Sequence, residues 1–243
     1  NIQQFGLIAE SSKDNGNDLA SSLGTQAALL RRLGVDYGDF SKNVESAIYS
    51  FGQSAEGVKS INLQLRQFAE DVNMLPSTIS KNFQMVSKSL AYDFNTIKQQ
   101  FVGIQKLSTE TGVSIDTLMG KFGQPMDTIS GASDMAARLN AMLGKNAFSA
   151  TELLMMPEEQ RMARIRQELT DSEAGRTAMA GGIQGKFALQ SIQAALGMSL
   201  DDTRRFLRTG GVKDMVNEGV DTKFDAGGMK FAEEAVKDFG QET

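Results

Sequence analysis

Between Asp36 and Leu75 the apolar residues fall into two columns of period seven. One column runs Val44, Phe51, Val58, Leu65 and Val72. The other, offset by three, runs Phe40, Ala47, Ser54, Ile61, Phe68 and Leu75, with Ser54 as its one polar break. Apolar a and d positions held for about five heptads specify helix and exclude strand. Asp36 stands where an N-cap is needed, with Asp39 three residues on as a variant of the capping box. The pattern predicts one helix roughly 60 Å long at 1.5 Å per residue. Its apolar seam is narrow and must be covered by other helices. Two covers satisfy it: a hairpin arm within one chain, or a rod bundled with copies of itself.

A second stripe follows Pro76, which breaks the heptad. Ser77 and Thr78 restart a helix, and its stripe runs Ile79, Phe83, Val86, Leu90, Phe94, Ile97, Phe101, Ile104 and Leu107. Asp93 and Gln100 occupy the strict d column, so the stripe drifts onto Phe94 and Phe101 and broadens. The join at Pro76 permits either an αα-hairpin or a kinked rod. The residues expected at helix–helix interfaces are Phe40, Val44, Phe51, Val58, Ile61, Leu65, Phe68, Val72, Phe83, Leu90, Ile97 and Ile104.

After Gly112 the segments shorten and repeat one grammar: helix, Gly, an apolar residue, an N-cap, helix. Thr111-Gly112-Val113-Ser114 leads to Leu118 and Phe122, and Leu196-Gly197-Met198-Ser199 leads to Phe206 and Leu207; Leu33-Gly34-Val35-Asp36 is an earlier instance. The grammar fits an internal duplication, and equally the way any helix-to-helix turn is written. Further helices are expected through Met135, Leu139 and Met142, ending at Gly144. Others run through Met162, Ile165 and Leu169 after Pro157, and through Phe187, Leu189, Ile192 and Leu196. The expected fold is therefore all-α: long heptad-bearing helices, as a coiled coil or helical hairpin, followed by a compact domain of short helices. The expected divisions are a short helix and linker over 1–35, the long helices over 36–110, the small helical domain over 111–210 and a polar tail over 211–243.

Composition narrows the chemistry. The chain has no Cys and no His, which removes disulfides, thiolate chemistry, a Ser-His-Asp triad and His-ligated metal. A net charge of −5 opposes general binding to nucleic acid, which needs a basic face to displace counterions. The pattern alone permits a helix-turn-helix, but the charge argues against it. No window approaches the length of a membrane-spanning helix. Asn1-Ile2-Gln3-Gln4-Phe5 has no signal-peptide pattern and no initiator Met, as expected for a piece of a longer polypeptide.

The remaining candidates for chemistry have structural explanations. Gly181 to Lys186 looks like a phosphate loop, but Ala180 stands where its first Gly is required and Phe187 where Ser or Thr is required. A hinge or a close helix approach fits it better. The pairs Glu158-Glu159 and Asp201-Asp202 suit first helical turns, where carboxylates meet free N–H groups and the positive end of the dipole. Arg161, Arg164, Arg166, Arg204, Arg205 and Arg208 are nearly matched by acidic neighbours and fit a solvated, salt-bridged face. Leu153, Leu154, Met155 and Met156 fit core packing, or an adaptable apolar surface. No catalytic, cofactor or metal residue is expected.

One stretch resembles a known family. Thr111-Gly112-Val113-Ser114, Ala137-Arg138-Leu139-Asn140-Ala141-Met142-Leu143-Gly144, Ser149-Ala150-Thr151-Glu152-Leu153-Leu154, Glu159-Gln160-Arg161 and Ala194-Ala195-Leu196-Gly197-Met198 occur in order. They look like a region of tail tape measure and related virion structural proteins of tailed bacteriophages. The resemblance covers under half the chain, and its motifs are made of caps and small apolar residues. It implies a helical virion protein present in several copies inside the tail tube, assembled in the host cytoplasm. It also implies contact with the distal hub or baseplate, a total length that sets tail length, and exit from the tube when the genome is delivered. It carries over no catalytic residue. The expected state is an oligomer, a trimer from its mixed β-branched and aromatic a and d residues. The alternatives are a cellular scaffold or adaptor that binds partner helices, and an enzyme of unknown type, which no motif supports.

Overall fold

The computed structural model describes residues 37–45, 47, 48, 52 and 55–208, with isolated residues 28 and 31. Among these residues the protein is all-helical, with no strand, and none of the helices is long and apolar enough to cross a membrane. They belong to two compact units, divided between Gln84 and Met85. The expected tail at 211–243 and most of the segment at 1–35 lie outside the described residues.

In the first unit α1 spans Tyr37–Glu45 and α2 spans Ala55–Asp71. The heptad pattern predicts these as one helix. Between them Gly52 has φ +60°, a left-handed conformation that a continuous α-helix does not contain. Val44, Val58, Ile61, Leu65, Phe68 and Val72 are all buried within one chain. Phe40 lies in α1, but its side chain is outside the described residues, as is Phe51 altogether. α2 is no narrow-seam helix, because Ile61 to Leu65 are five consecutive buried residues. Its buried Asn62 donates to the Val58 carbonyl at 2.9 Å, which satisfies the amide inside the helix itself.

α2 ends before the proline. Asn73 has φ +52°; its N–H donates to Glu70 O at 3.1 Å, and Met74 N–H donates to Ala69 O at 2.8 Å. That pair of bonds is a Schellman motif, with Asn in the position Gly usually takes. Pro76 then opens α3 (Pro76–Ser89), where its missing N–H costs nothing. Leu75, in the predicted d column, is 71% exposed on this turn.

The second predicted long helix is also two. α3 stops at Ser89, and α4 spans Phe94–Thr111. Asp93 accepts from Asn95 N at 2.9 Å and from Thr96 N at 3.2 Å, as the N-cap of α4. A polar residue that looked like a defect in a stripe is the start of a helix. The stripe residues on either side, Phe83, Leu90, Ile97 and Ile104, are buried regardless.

The rest of the second unit follows the short-helix grammar. Its elements are α5 (Ile115–Phe122), a 3₁₀ turn (Gln124–Met126), α6 (Ile129–Leu143), α7 (Ala150–Met155), α8 (Glu158–Asp171), α9 (Glu173–Ala180), α10 (Gly182–Leu196) and α11 (Leu200–Leu207). Gly112 and Gly197, at φ +69° and +66°, end α4 and α10 in the left-handed conformation. The residue after each, Val113 and Met198, is buried, and Ser114 and Ser199 cap the next helix. Helix α9 was missed by apolar periodicity; its signal is Ser172, whose hydroxyl accepts from Gly175 N at 2.9 Å. α8 packs on α4, α5, α9 and α11, while α10 packs on α6, α9 and α11. Met162, Ile165 and Leu169 fill the core from α8, and Phe122 and Phe206 stack with centroids 5.2 Å apart.

Candidate functional site

α8 carries the most unusual chemistry of the described residues. Arg161 is 1% exposed and is the largest fully buried side chain among the described residues. Sequence reasoning placed it on a solvated face. Charge balance along the chain suggested that, but burial of a charge depends on what the fold brings to it. Here the guanidinium meets the ends of two helices. Nη1 donates to Phe122 O at 2.8 Å, to Gly123 O at 3.5 Å and to Asp127 Oδ1 at 3.1 Å. Nη2 donates to Met156 O at 3.1 Å. Carbonyls at helix C-termini lack partners within the helix and carry partial negative charge, so a planar fork of donors satisfies several at once.

Two other arginines do the same at other ends. Arg166 donates to Phe206 O at 2.9 Å and Arg208 O at 3.0 Å, closing α11, and pairs with Glu110 of α4 at 3.2 Å. Arg205 donates to Gly112 O at 3.1 Å, closing α4. Arg164, which pairs with Glu168, matches the salt-bridged reading.

The N-terminus of α8 is finished by a residue from another helix. Pro157 has no side chain with which to cap it. The buried Gln100 of α4 supplies the acceptor, taking the Glu159 N–H at 3.0 Å. So Gln100, like Asp93, interrupts an apolar stripe because it caps a helix. Glu158 beside it is 2% exposed. Burial, then the Asp127 carboxylate, pushes its carboxyl above the usual range. Its own backbone N–H, Arg161 and a hydrogen bond with Tyr92 act in the opposite sense. Tyr92 lies in the break between α3 and α4, and burial and the Glu158 charge push its hydroxyl up as well.

The remaining sequence candidates separate. Asp201 pairs with Arg205 at 2.9 Å, and Asp202 Oδ2 accepts from the Ser199 hydroxyl, so both serve the start of α11. Gly185 in the apparent phosphate loop lies where a Cβ would come within 2.8 Å of the Thr177 carbonyl, the close helix approach anticipated there. Leu153 is buried, while Met155 is exposed. On α10, Ile183 and Phe187, one turn apart, are 78% and 61% exposed, and Met179 of α9 is exposed too. Among the described residues no group of three or more acidic side chains gathers as a metal site. No protein-family model, curated protein or solved structure matches this chain.

Proposed function

We propose that the protein is a non-enzymatic structural component of a phage tail, tape-measure-like, which acts by packing and docking. The observation that carries this reading is where the resembling stretches fall. All of them, from Thr111 to Met198, lie in one compact all-helical unit. In this reading several copies lie inside the tail tube, one end meets the hub or baseplate, and the length of the parent polypeptide sets tail length. The buried arginine serves architecture in this reading, and no residue turns over a substrate. The test is fractionation of the source particles with quantitative mass spectrometry. Recovery of the chain in a fixed ratio to tube and hub proteins, within a parent several times 26.3 kDa, is the expected result. Recovery free of virion components would overturn it.

One observation favours a second reading, a helical scaffold or adaptor. Val44, Ala47, Val58, Ile61, Leu65, Phe68 and Val72 are covered within a single chain, so bundling of copies through that seam is not needed to bury them. A soluble complex containing the chain with one non-virion partner would select this reading. A trimer assembled through residues 36–110 would count against it.

A further inference from the structure

We propose that the corner between α9 and α10 of one copy of this chain seats on the surface around Ile129, Met155 and Asp127 of a second copy. This deepens the multi-copy reading, and it can fail while that reading stands, since copies can meet through other surfaces.

Tyr92 aside, the large exposed apolar side chains described in the second unit fall into two groups. One is Met179, Ile183 and Phe187, at the α9–α10 corner. The corner stands in open space. Residues 179–184 are all exposed, and Gly181 and Gly182, at φ +78° and +72°, have nothing within 4 Å of where a Cβ would lie. It is also held in shape, because Gly185 brings α10 against the Thr177 carbonyl of α9. Arg176 lies three residues before Met179, and Lys186 three after Ile183, so each cation shares a helix face with an exposed apolar side chain. Both are exposed, and neither is in an ion pair with a described residue. An apolar patch rimmed in this way marks an interaction site.

The other group is Ile129, which opens α6 at 74% exposure, and Met155, which ends α7 at 79%. Arg161 ties the two places together, with Nη1 on Asp127 Oδ1 and Nη2 on Met156 O, each at 3.1 Å. The carboxylates here are Asp127 and, three residues before Met155, Glu152; each side chain is 38% exposed. Of the arginines they meet, Arg161 is buried and Arg164 is shared with Glu168, so the rim of this surface is acidic. Charge then selects the occupant. From Ala174 to Leu200 the chain has no Asp or Glu, and its cations are Arg176 and Lys186, in a chain of net charge −5. A basic apolar corner complements an acidic apolar surface that every copy carries. An anionic bilayer would attract the same two cations but repel the rest of the chain, so a second copy is the better fit.

Sedimentation velocity on the full 243-residue chain tests this, with each surface broken in turn. Ile183→Ser with Phe187→Ser breaks the corner, and Ile129→Ser with Met155→Ser breaks the seat. The native chain should self-associate as its concentration rises, and each variant alone should do so at least about tenfold more weakly. Mixed one to one, the two variants should regain association that neither shows alone, since each supplies the surface the other lacks. Should a serine pair fail to fold, charge reversal makes the same comparison. Arg176→Glu with Lys186→Glu should weaken association, and mixing that chain with Glu152→Lys should recover part of it. A native chain that stays monomeric overturns the inference, as does association that the broken variants retain, or a mixture no stronger than its parts. Binding of the native chain to phosphatidylglycerol vesicles, lost in the corner variant and unaccompanied by self-association, would assign the corner to a bilayer and overturns it too.

Discussion

Helices α2 and α8 belong to different units, and they are held by different means. α2 buries five consecutive residues from Ile61 to Leu65, and both amides among them turn back on the helix itself, Asn62 to the Val58 carbonyl and Gln64 to the Ser60 hydroxyl. α8 buries Met162, Ile165 and Leu169, but it also buries Arg161 and Glu158 and receives a cap from Gln100. The first is stabilised mainly by area removed from water. The second depends on directional bonds at helix ends, where each donor has few substitutes. Burial tolerates small changes of shape and degrades gradually; a network of caps fails when one member is removed.

The largest expected effect tests the second half of that contrast. Arg161→Ala leaves the carbonyls of Phe122 and Met156 and the Asp127 carboxylate without their donor, and should cost about 4 kcal/mol. Arg161→Lys keeps the charge but not the fork, and should recover only part of the loss. Chemical unfolding followed by far-UV circular dichroism reads both. If Arg161→Lys matched the native stability, charge alone would hold the junction and the geometric account of the helix ends would fall.

Leu65→Ala comes next, at about 3 kcal/mol, for a side chain buried in α2. The contrast sharpens if Leu65→Met is nearly neutral while Arg161→Lys is not, since volume-conserving apolar swaps are tolerated. Comparable losses for the two conservative changes would erase the distinction between the units.

What could be read from residues alone divides along the same line. The caps and stops of the second unit were legible: Gly112, Gly144 and Gly197 as helix ends, and Ser114 and Ser199 as starts, because each acts through bonds within a few residues of itself. The burial of Val44, Ala47, Val58, Ile61, Leu65, Phe68 and Val72 was legible from their period, and the exposure of Leu75 was not. Helix length was not. Asp93 and Gln100 stood at apolar register positions, and periodicity cannot tell a poor core residue from a cap. Asn73 ended α2 through backbone bonds that Pro76, the louder signal, concealed. Arg161 was placed in solvent because its partners lie up to 39 residues away, and no local pattern registers carbonyls brought together by folding.

A smaller effect checks the local caps. Ser199→Ala removes the acceptor for Asp202 N at 3.0 Å and should cost about 1 kcal/mol, with Ser199→Asp close to native. Ser114→Ala should match it, since Ser114 accepts from Thr117 N at 3.1 Å in the same grammar. Thermal melts of the two variants at one pH decide this. Unequal losses would mean that the two corners, alike in backbone, are not alike in how much of the unit each supports.

The smallest expected effect bears on the heptad itself. Leu75 belongs to the same column as Ile61 and Phe68, so a continuous coiled coil would make it a core residue whose truncation costs as much as Leu65→Ala. The fold instead ends α2 at Asn73 and leaves Leu75 exposed on the turn before Pro76. Leu75→Ala should then change stability by less than about 0.5 kcal/mol, the range for surface positions without special contacts. The same urea titration used for Leu65→Ala measures it. A loss near that of Leu65→Ala would restore the heptad helix expected to run to Leu75, and with it the bundled rod. A negligible loss leaves the period of seven as a record of burial, carried by separate helices that a proline and an asparagine keep apart.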